Sequence, residues 1–271
     1  MTRRRERGFA LLIVVWSLAL LALLGAQVMG PSRNEMRLAA NLRAAAVAQA
    51  AADGAVNEAV LRLLQGAWSP RDGVVREVRI GAAVVAVRLE DEAGKINPNA
   101  SPRPVLAGLI RAVGVDAPTA SVLAARIVDW HSPMSTSLAG GGPKAAPYQA
   151  AGLDYAPPSR PFANLRELEL VAGMTPDLYA RIAPFLSVYQ EGAVDQDAAA
   201  GATAAALDDA RMSQTAVPPL ARGANPVVRV RAAAVAPSGA RAGRAAVVRL
   251  LAAPRPGQVP YQILTWESEP G

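Results

Sequence analysis

Residues 9–28 read FALLIVVWSLALLALLGAQV, and residues 3–8, directly before them, read RRRERG. From Gly8 to Ser32 there is no charged side chain over 25 residues. About 20 apolar residues in one helix span the hydrocarbon core of a bilayer. Four arginines against Glu6 leave +3 on the N-terminal side, which the positive-inside rule keeps cytoplasmic. A secretory signal peptide has the same order of regions, but its apolar run is about 7–15 residues and a small-residue cleavage site follows it. Here the run is longer and no A-x-A-like site follows. The expectation is a leader at 1–8, a single transmembrane helix at 9–31, and the bulk of the chain across the membrane.

The helical pattern does not stop at the membrane. Leu38, Leu42, Ala45, Ala52, Val56, Val60 and Leu63 follow steps of three and four or their multiples, with Arg37, Asn41, Arg43, Asp53, Asn57, Glu58 and Arg62 between them. That is an amphipathic helix with one stripe to bury. If it continues the membrane span, Phe9 to Gln65 forms a rod of roughly 85 Å at about 1.5 Å per residue. Pro31 removes one intrahelical donor and marks a place for a kink.

Composition narrows the chemistry. The 271 residues include no Cys and one His, His131. That excludes disulfides, Cys-ligated metal centres, a thiol nucleophile and poly-His metal sites. The hydrophobic fraction is 52% but aromatics are 4%, so a core must be built from small aliphatics. The formal charge of +6 is half leader, leaving a modest +3 for the rest.

The remainder reads as two folded parts. Residues 74–90 alternate as two strands with a turn near Gly81, and 226–235, 244–252 and 260–267 read as three more. Residues 97–190 read helical. Ser101 caps a helix with Pro102 at its first position and Gly114 after its end, and a second runs from about Pro118 to Trp130. Asn164 and Glu167 form a capping-box-like start, Gly173 closes that helix, and Thr175-Pro176 opens the next. Residues 191–223 carry little apolar bulk and read as a flexible linker. The fold class expected is α+β: a long N-terminal helix on a small antiparallel sheet (32–96 and 224–271), split by an all-α insertion at 97–190.

Arg7-Gly8-Phe9 at the head of an uninterrupted apolar helix resembles the junction of type IV pilin-like prepilins. Asp91-Glu-Ala-Gly-Lys-Ile-Asn97, Arg160-Pro-Phe together with Glu167 to Pro176, Pro184 to Tyr189, and Tyr261 to Trp266 resemble motifs of the minor pseudopilin K family of type II secretion systems. The resemblance covers nearly the whole chain. It implies a pilin-like sheet, cleavage by a prepilin peptidase between Gly8 and Phe9, N-methylation of Phe9, and no enzymatic activity. It implies partners as well: other minor pseudopilins, the major pseudopilin, the inner-membrane assembly platform and the lipid bilayer. Ile13 stands at the fifth mature position, where most prepilins carry glutamate and this family lacks it. Asp91, Glu92, Gly94, Lys95, Asn97, Gly173 and Pro176 are the motif positions to which structural roles are assigned.

Other chemistries weigh less. His131 with Asp129 and scattered serines has no strand–elbow–helix context for a hydrolase, and reads as a surface histidine after a helix. Leu170 to Thr175 resembles a helix–hairpin–helix module, which would make the chain a membrane-anchored DNA-binding or uptake protein. Thr175 stands where that module needs its second glycine, so the turn reads as packing and no nucleic acid is expected. The Arg-rich C-terminal strands read as a solvated, edge-guarding face. No cofactor is expected. Ca²⁺ takes about 6–8 oxygen ligands, and Asp129 and Asp154 are the weak candidates where the family's acidic loop is replaced by His131 to Ser135.

Overall fold

The computed structural model describes residues 5–212 and 225–271, with the side chains of 5–8 and 26–34 outside the description. Residues 1–4 of the leader, the side chain of Pro31 and the end of the expected linker thus fall outside it. Helix α1 (Arg5–Leu64) is 60 residues long, about 90 Å at 1.5 Å per residue. Among the described residues no helix is long and apolar enough to cross a membrane. The expected span at 9–31 runs into the side chains not described. Those described within it are apolar and exposed: Phe9, Leu11, Trp16 and Leu21 are each more than 60% accessible.

The lower third of α1 lies on a sheet. Ala48, Ala52, Ala55, Val56, Ala59, Val60 and Leu63 are buried there; the expected stripe holds from Ala52 to Leu63, whereas Leu38, Leu42 and Ala45, also expected on it, are exposed because the sheet does not reach them. The sheet is a five-stranded antiparallel meander in the order β1 (Val75–Ile80), β2 (Ala83–Asp91), β3 (Val227–Val235), β4 (Arg241–Leu250), β5 (Tyr261–Glu269). Small apolar residues alternate toward the helix: Ala83, Val85, Val87 and Leu89 on β2, Val228, Val230, Ala232 and Ala234 on β3. Ala-rich α1 and Ala/Val strands permit a close approach without aromatics. Gly81, in the left-handed region at φ 58°, makes the tight β1–β2 turn.

More than 130 residues separate β2 from β3 in sequence, yet the two are hydrogen-bonded neighbours, with Asp91 opposite Val228. The insertion leaves and re-enters the sheet at one place. It contains α2 (Arg103–Ala112), α3 (Ala117–His131), a short α4 (Ala146–Ala150), a 3-10 turn over Leu165–Leu170, α5 (Pro176–Ile182) and α6 (Ala202–Met212). Trp130 stacks on Phe162 at 5.5 Å between centroids within a core of Leu106, Leu109, Ile110 and Ile127.

Three local expectations change. The linker expected at 191–223 instead contains α6, whose Ala206 and Ala210 are fully buried against the core of the insertion. Low apolar bulk is what lets it sit there: a Cβ on Gly108 of α2 would already lie 3.0 Å from the Ala206 carbonyl oxygen. The segment after Asn164 is a 3-10 turn rather than a helix, and Asn164 makes no side-chain cap. Glu167 Oε1 instead accepts from the Ala163 amide at 3.1 Å. Finally, Pro102 rather than Ser101 is the residue before α2. Asp116 Oδ1 caps α3 through the Thr119 amide, and Thr175 Oγ1 caps α5 through the Leu178 amide with Pro176 following.

Candidate functional site

The motif at 91–97 forms the joint between sheet and insertion. As β2 ends, Asp91 Oδ1 accepts from the Ala93 amide at 2.9 Å and starts a 3-10 turn over Glu92–Gly94. Its other oxygen accepts from Arg71 Nε at 2.8 Å, and Arg71 also reaches Asp195, which precedes α6 in the insertion. Its hydrogen bonds to the carboxylates of Asp91 and Asp195 hold the Arg71 guanidinium pKa above its ordinary value. The Asp195 amide donates to Ala93 O at 2.8 Å, closing the loop.

Glu92 is wholly buried. Its Oε1 accepts from Lys95 Nζ at 2.7 Å and from Arg229 Nε of β3 at 3.0 Å. Burial works against the charge of Arg229, and Glu92 more than offsets it, so its pKa is raised. Lys95 Nζ also donates to Glu90 at 3.1 Å. Burial pushes the Glu90 carboxyl up, but Lys95 and the nearby Arg231 and Arg229 bring it below the usual range.

Gly94 has a steric reason to be glycine. A Cβ there would lie 2.2 Å from the backbone oxygen of Ala198. Ile96, fully buried, exchanges backbone bonds with the far end of the insertion: its amide donates to Phe185 O and its carbonyl accepts from Ser187 N. Asn97 Nδ2 donates to Gln190 O at 2.8 Å. Each residue of the motif therefore ties the start of the insertion to its end or to the sheet. The motif is a clamp between sheet and insertion.

A second buried polar cluster closes the loop after α3. Asp129 is almost fully buried. Its carboxylate accepts from Ser137 Oγ at 2.6 Å and from the Leu138 amide at 3.0 Å. Lys144 Nζ, also buried, donates to the carbonyls of Asp129 at 2.7 Å and Ser132 at 2.5 Å, and to Ser159 Oγ at 3.3 Å. Burial pushes the Lys144 amine down, against the pull of Asp129. Asp154, the other calcium candidate, is exposed. Among the described residues no group of three or more His, Cys, Asp or Glu is placed to hold a metal.

His131 is not the surface residue expected. It ends α3 half-buried, with its ring edge-on to Phe162 at 6.5 Å. Burial, then the Lys144 ammonium, lowers its pKa, while the Pro98 carbonyl and Asp129 work the other way. No serine is hydrogen-bonded to its ring among the described residues. The hairpin at 170–175 packs inward: Val171 and Met174 are buried, and Arg126 Nη1 of α3 donates to Ala172 O at 2.8 Å. Gly173, at φ 91°, gives the backbone room beside that guanidinium.

The Arg-rich strands are only partly a solvated face. Besides Arg229, Arg244 of β4 is buried between Asp53 of α1, at 2.6 Å, and the Trp266 ring. Arg71, Arg229, Arg244, Asp195 and Lys144 are the partners that sequence reasoning missed.

Residues 83–191 match the model of the family described as type II secretion system (T2SS), protein K. The fold matches a chain of the crystal structure of the GspK–GspI–GspJ complex from the enterotoxigenic Escherichia coli type 2 secretion system. The TM-score is 0.57 at 14% identity, over 89% of this chain and 99% of that one. No curated protein sequence matches the chain. The matched segment runs from the start of β2 to just past Gln190, so the motif at 91–97 and most of the insertion lie within it, while the motif's partners Asp195 and Arg229 lie beyond it.

Proposed function

We propose that this chain, which resembles the minor pseudopilin K family through residues 83–191 and through its fold, is a non-enzymatic minor pseudopilin of a type II secretion system. It sits at the tip of the pseudopilus and starts or caps its assembly. The observation that carries this reading is the clamped helical insertion between β2 and β3 of a sheet that rides on a rod about 90 Å long. The rod is the element that packs against neighbouring subunits. The insertion is the bulk that prevents another subunit from stacking above.

Residues 9–31 anchor the subunit in the inner membrane with the N-terminus cytoplasmic, until a prepilin peptidase cuts between Gly8 and Phe9 and the new terminus is methylated. Ile13 fits the tip. A glutamate there serves to neutralise the N-terminal ammonium of a neighbour, and an unpaired buried ion costs several kcal/mol. A tip subunit has no neighbour above, and Ile13 keeps the helix surface apolar beside Leu12 and Trp16. Partners are two other minor pseudopilins, corresponding to the GspI and GspJ found with GspK in the solved complex, then the major pseudopilin and the assembly platform. No cofactor is part of the proposal, and for calcium the support is that the Asp129 carboxylate already accepts from Ser137 Oγ and the Leu138 amide.

Gold labelling of the insertion in isolated pseudopili tests the position. The label is expected at one end of each filament. Regular labelling along the shaft would refute the tip assignment.

A further inference from the structure

The sheet face turned away from α1 is bare over β1 to β3 and the start of β4. Cross-strand register sets its rows. Arg79, Val84, Val235 and Arg241 make one row, and Val75, Arg88 and Arg231 another. Between them runs the row Glu77, Ala86, Ala233, Gly243 and Glu269, whose exposed small residues Ala86 and Ala233 make the floor, while Gly243 is buried against the backbone of Glu269 and Pro270. A groove of about 400 Å³ lies on this floor, closed at one end by Glu269 and Pro270. The flanking rows are four residues apart, about 13 Å at 3.3 Å per residue, enough for one chain segment to lie across the strands.

The charges around the floor are unbalanced. Glu90 is engaged by Lys95 and Arg231, and Glu269 by Arg231. Arg79, Arg88 and Arg241 are exposed and have no hydrogen-bond, ion-pair or ring partner among the described residues. Glu77, opposite Ala86 at the β1 end of the floor row, likewise has no partner among the described residues. Arg88 also stands directly opposite Arg231, a like-charge cross-strand pair that weakens the isolated sheet.

We propose that this face docks an acidic segment of a partner protein, laid over Ala86 and Ala233 with carboxylates meeting Arg79, Arg88 and Arg241. A polypeptide fits better than a nucleic acid. No aromatic ring borders the groove for bases to stack on, and a polypeptide can set spaced carboxylates at Arg79, Arg88 and Arg241 while passing Glu77, Glu90 and Glu269 with neutral residues, which a backbone charged at every step cannot do. The partner comes from outside the filament, because the opposite face carries the rod through which subunits join. That last placement rests on the pseudopilin reading.

The test uses the full chain in detergent and a fluorescent peptide of alternating glutamate and alanine. Its binding is expected to weaken as salt rises and to fall about tenfold or more, ~1.4 kcal/mol, when Arg79→Glu, Arg88→Glu and Arg241→Glu are combined. Ala233→Trp, which fills the floor without changing charge, is expected to do the same. Melting curves establish that each variant is folded, and the milder set Arg79→Gln, Arg88→Gln and Arg241→Gln serves if the reversal set is not. Unchanged affinity in the folded variants, or equal binding of a lysine–alanine peptide, would overturn the proposal. Tighter binding of duplex DNA at the same arginines would overturn it in favour of a nucleic-acid face. Co-purification with the other minor pseudopilins is read in parallel: its loss in the wild type counts against the pseudopilin reading and leaves the peptide result to be judged separately.

Discussion

Replacing Glu92 by alanine should loosen the joint of the molecule. The side chain is fully buried, and its Oε1 joins Lys95 and Arg229, the latter 137 positions further on. Lys95 keeps Glu90 at 3.1 Å, so it does not lose its only partner. Arg229 loses the carboxylate that offsets its burial. Removing one member of a buried ion pair costs about 3–5 kcal/mol. At about 2–4 °C per kcal/mol for a folded unit of this size, the melting temperature should fall by roughly 6–20 °C. Circular dichroism of the full chain in detergent reads this. Amide exchange at Ile96 and Ser187, whose backbone bonds join the two ends of the insertion, should rise in step. Combining Glu92→Leu with Arg229→Met should recover much of the loss, since apolar replacement of both partners leaves no stranded ion. A single variant melting within about 2 °C of wild type, or a double variant as unstable as the sum of the two, would refute the reasoning.

Gly94→Ala should destabilise by about 1–3 kcal/mol and raise exchange at Asp195, because the new Cβ meets backbone at Ala198 and not a side chain that can turn away. For His131, a folded pKa below the unfolded one means that the unfolded chain takes up a proton first. Stability should therefore fall as pH drops below about 6.5 and level off once the folded imidazole protonates. Since the chain has one histidine, His131→Gln should flatten the stability profile between about pH 7.5 and 5.5 in chemical denaturation. Chelating divalent cations should leave the melting temperature nearly unchanged. A bound ion at 100 times its dissociation constant would contribute about 2.7 kcal/mol, and a drop of that size would show that Asp129 or Asp91 ligates a metal.

Much of this architecture is legible in the sequence because it rests on periodic patterns. The stripe from Ala52 to Leu63 predicts the helix face that the sheet covers. The alternation at 74–90 and 226–235 predicts strands, and the position of the insertion between them follows. The motif at 91–97 draws attention to the right residues, but not to their partners. Arg71, Arg229 and Asp195 lie 20 or more positions from the groups they bind, and nothing local marks them. Helix α6 was hidden for a different reason. Its buried residues are alanines, which carry almost no periodic signal yet pack tightly against Gly108. Lys144 did leave a trace. The chain has only two lysines among 28 basic residues, Lys95 and Lys144, and both sit in polar clusters inside the fold. In a chain that uses arginine nearly everywhere else, a compact ammonium is the group that fits among converging backbone carbonyls.

The claim that the chain is a minor pseudopilin is tested most directly by co-purification. The full chain, carrying an affinity tag at its C-terminus, is co-expressed with the other minor pseudopilins of its own secretion system and extracted in detergent. The account predicts one stable complex that contains this chain together with two of them, and that survives size-exclusion chromatography. If those two assemble with each other while this chain elutes alone, correctly folded, the central claim is contradicted.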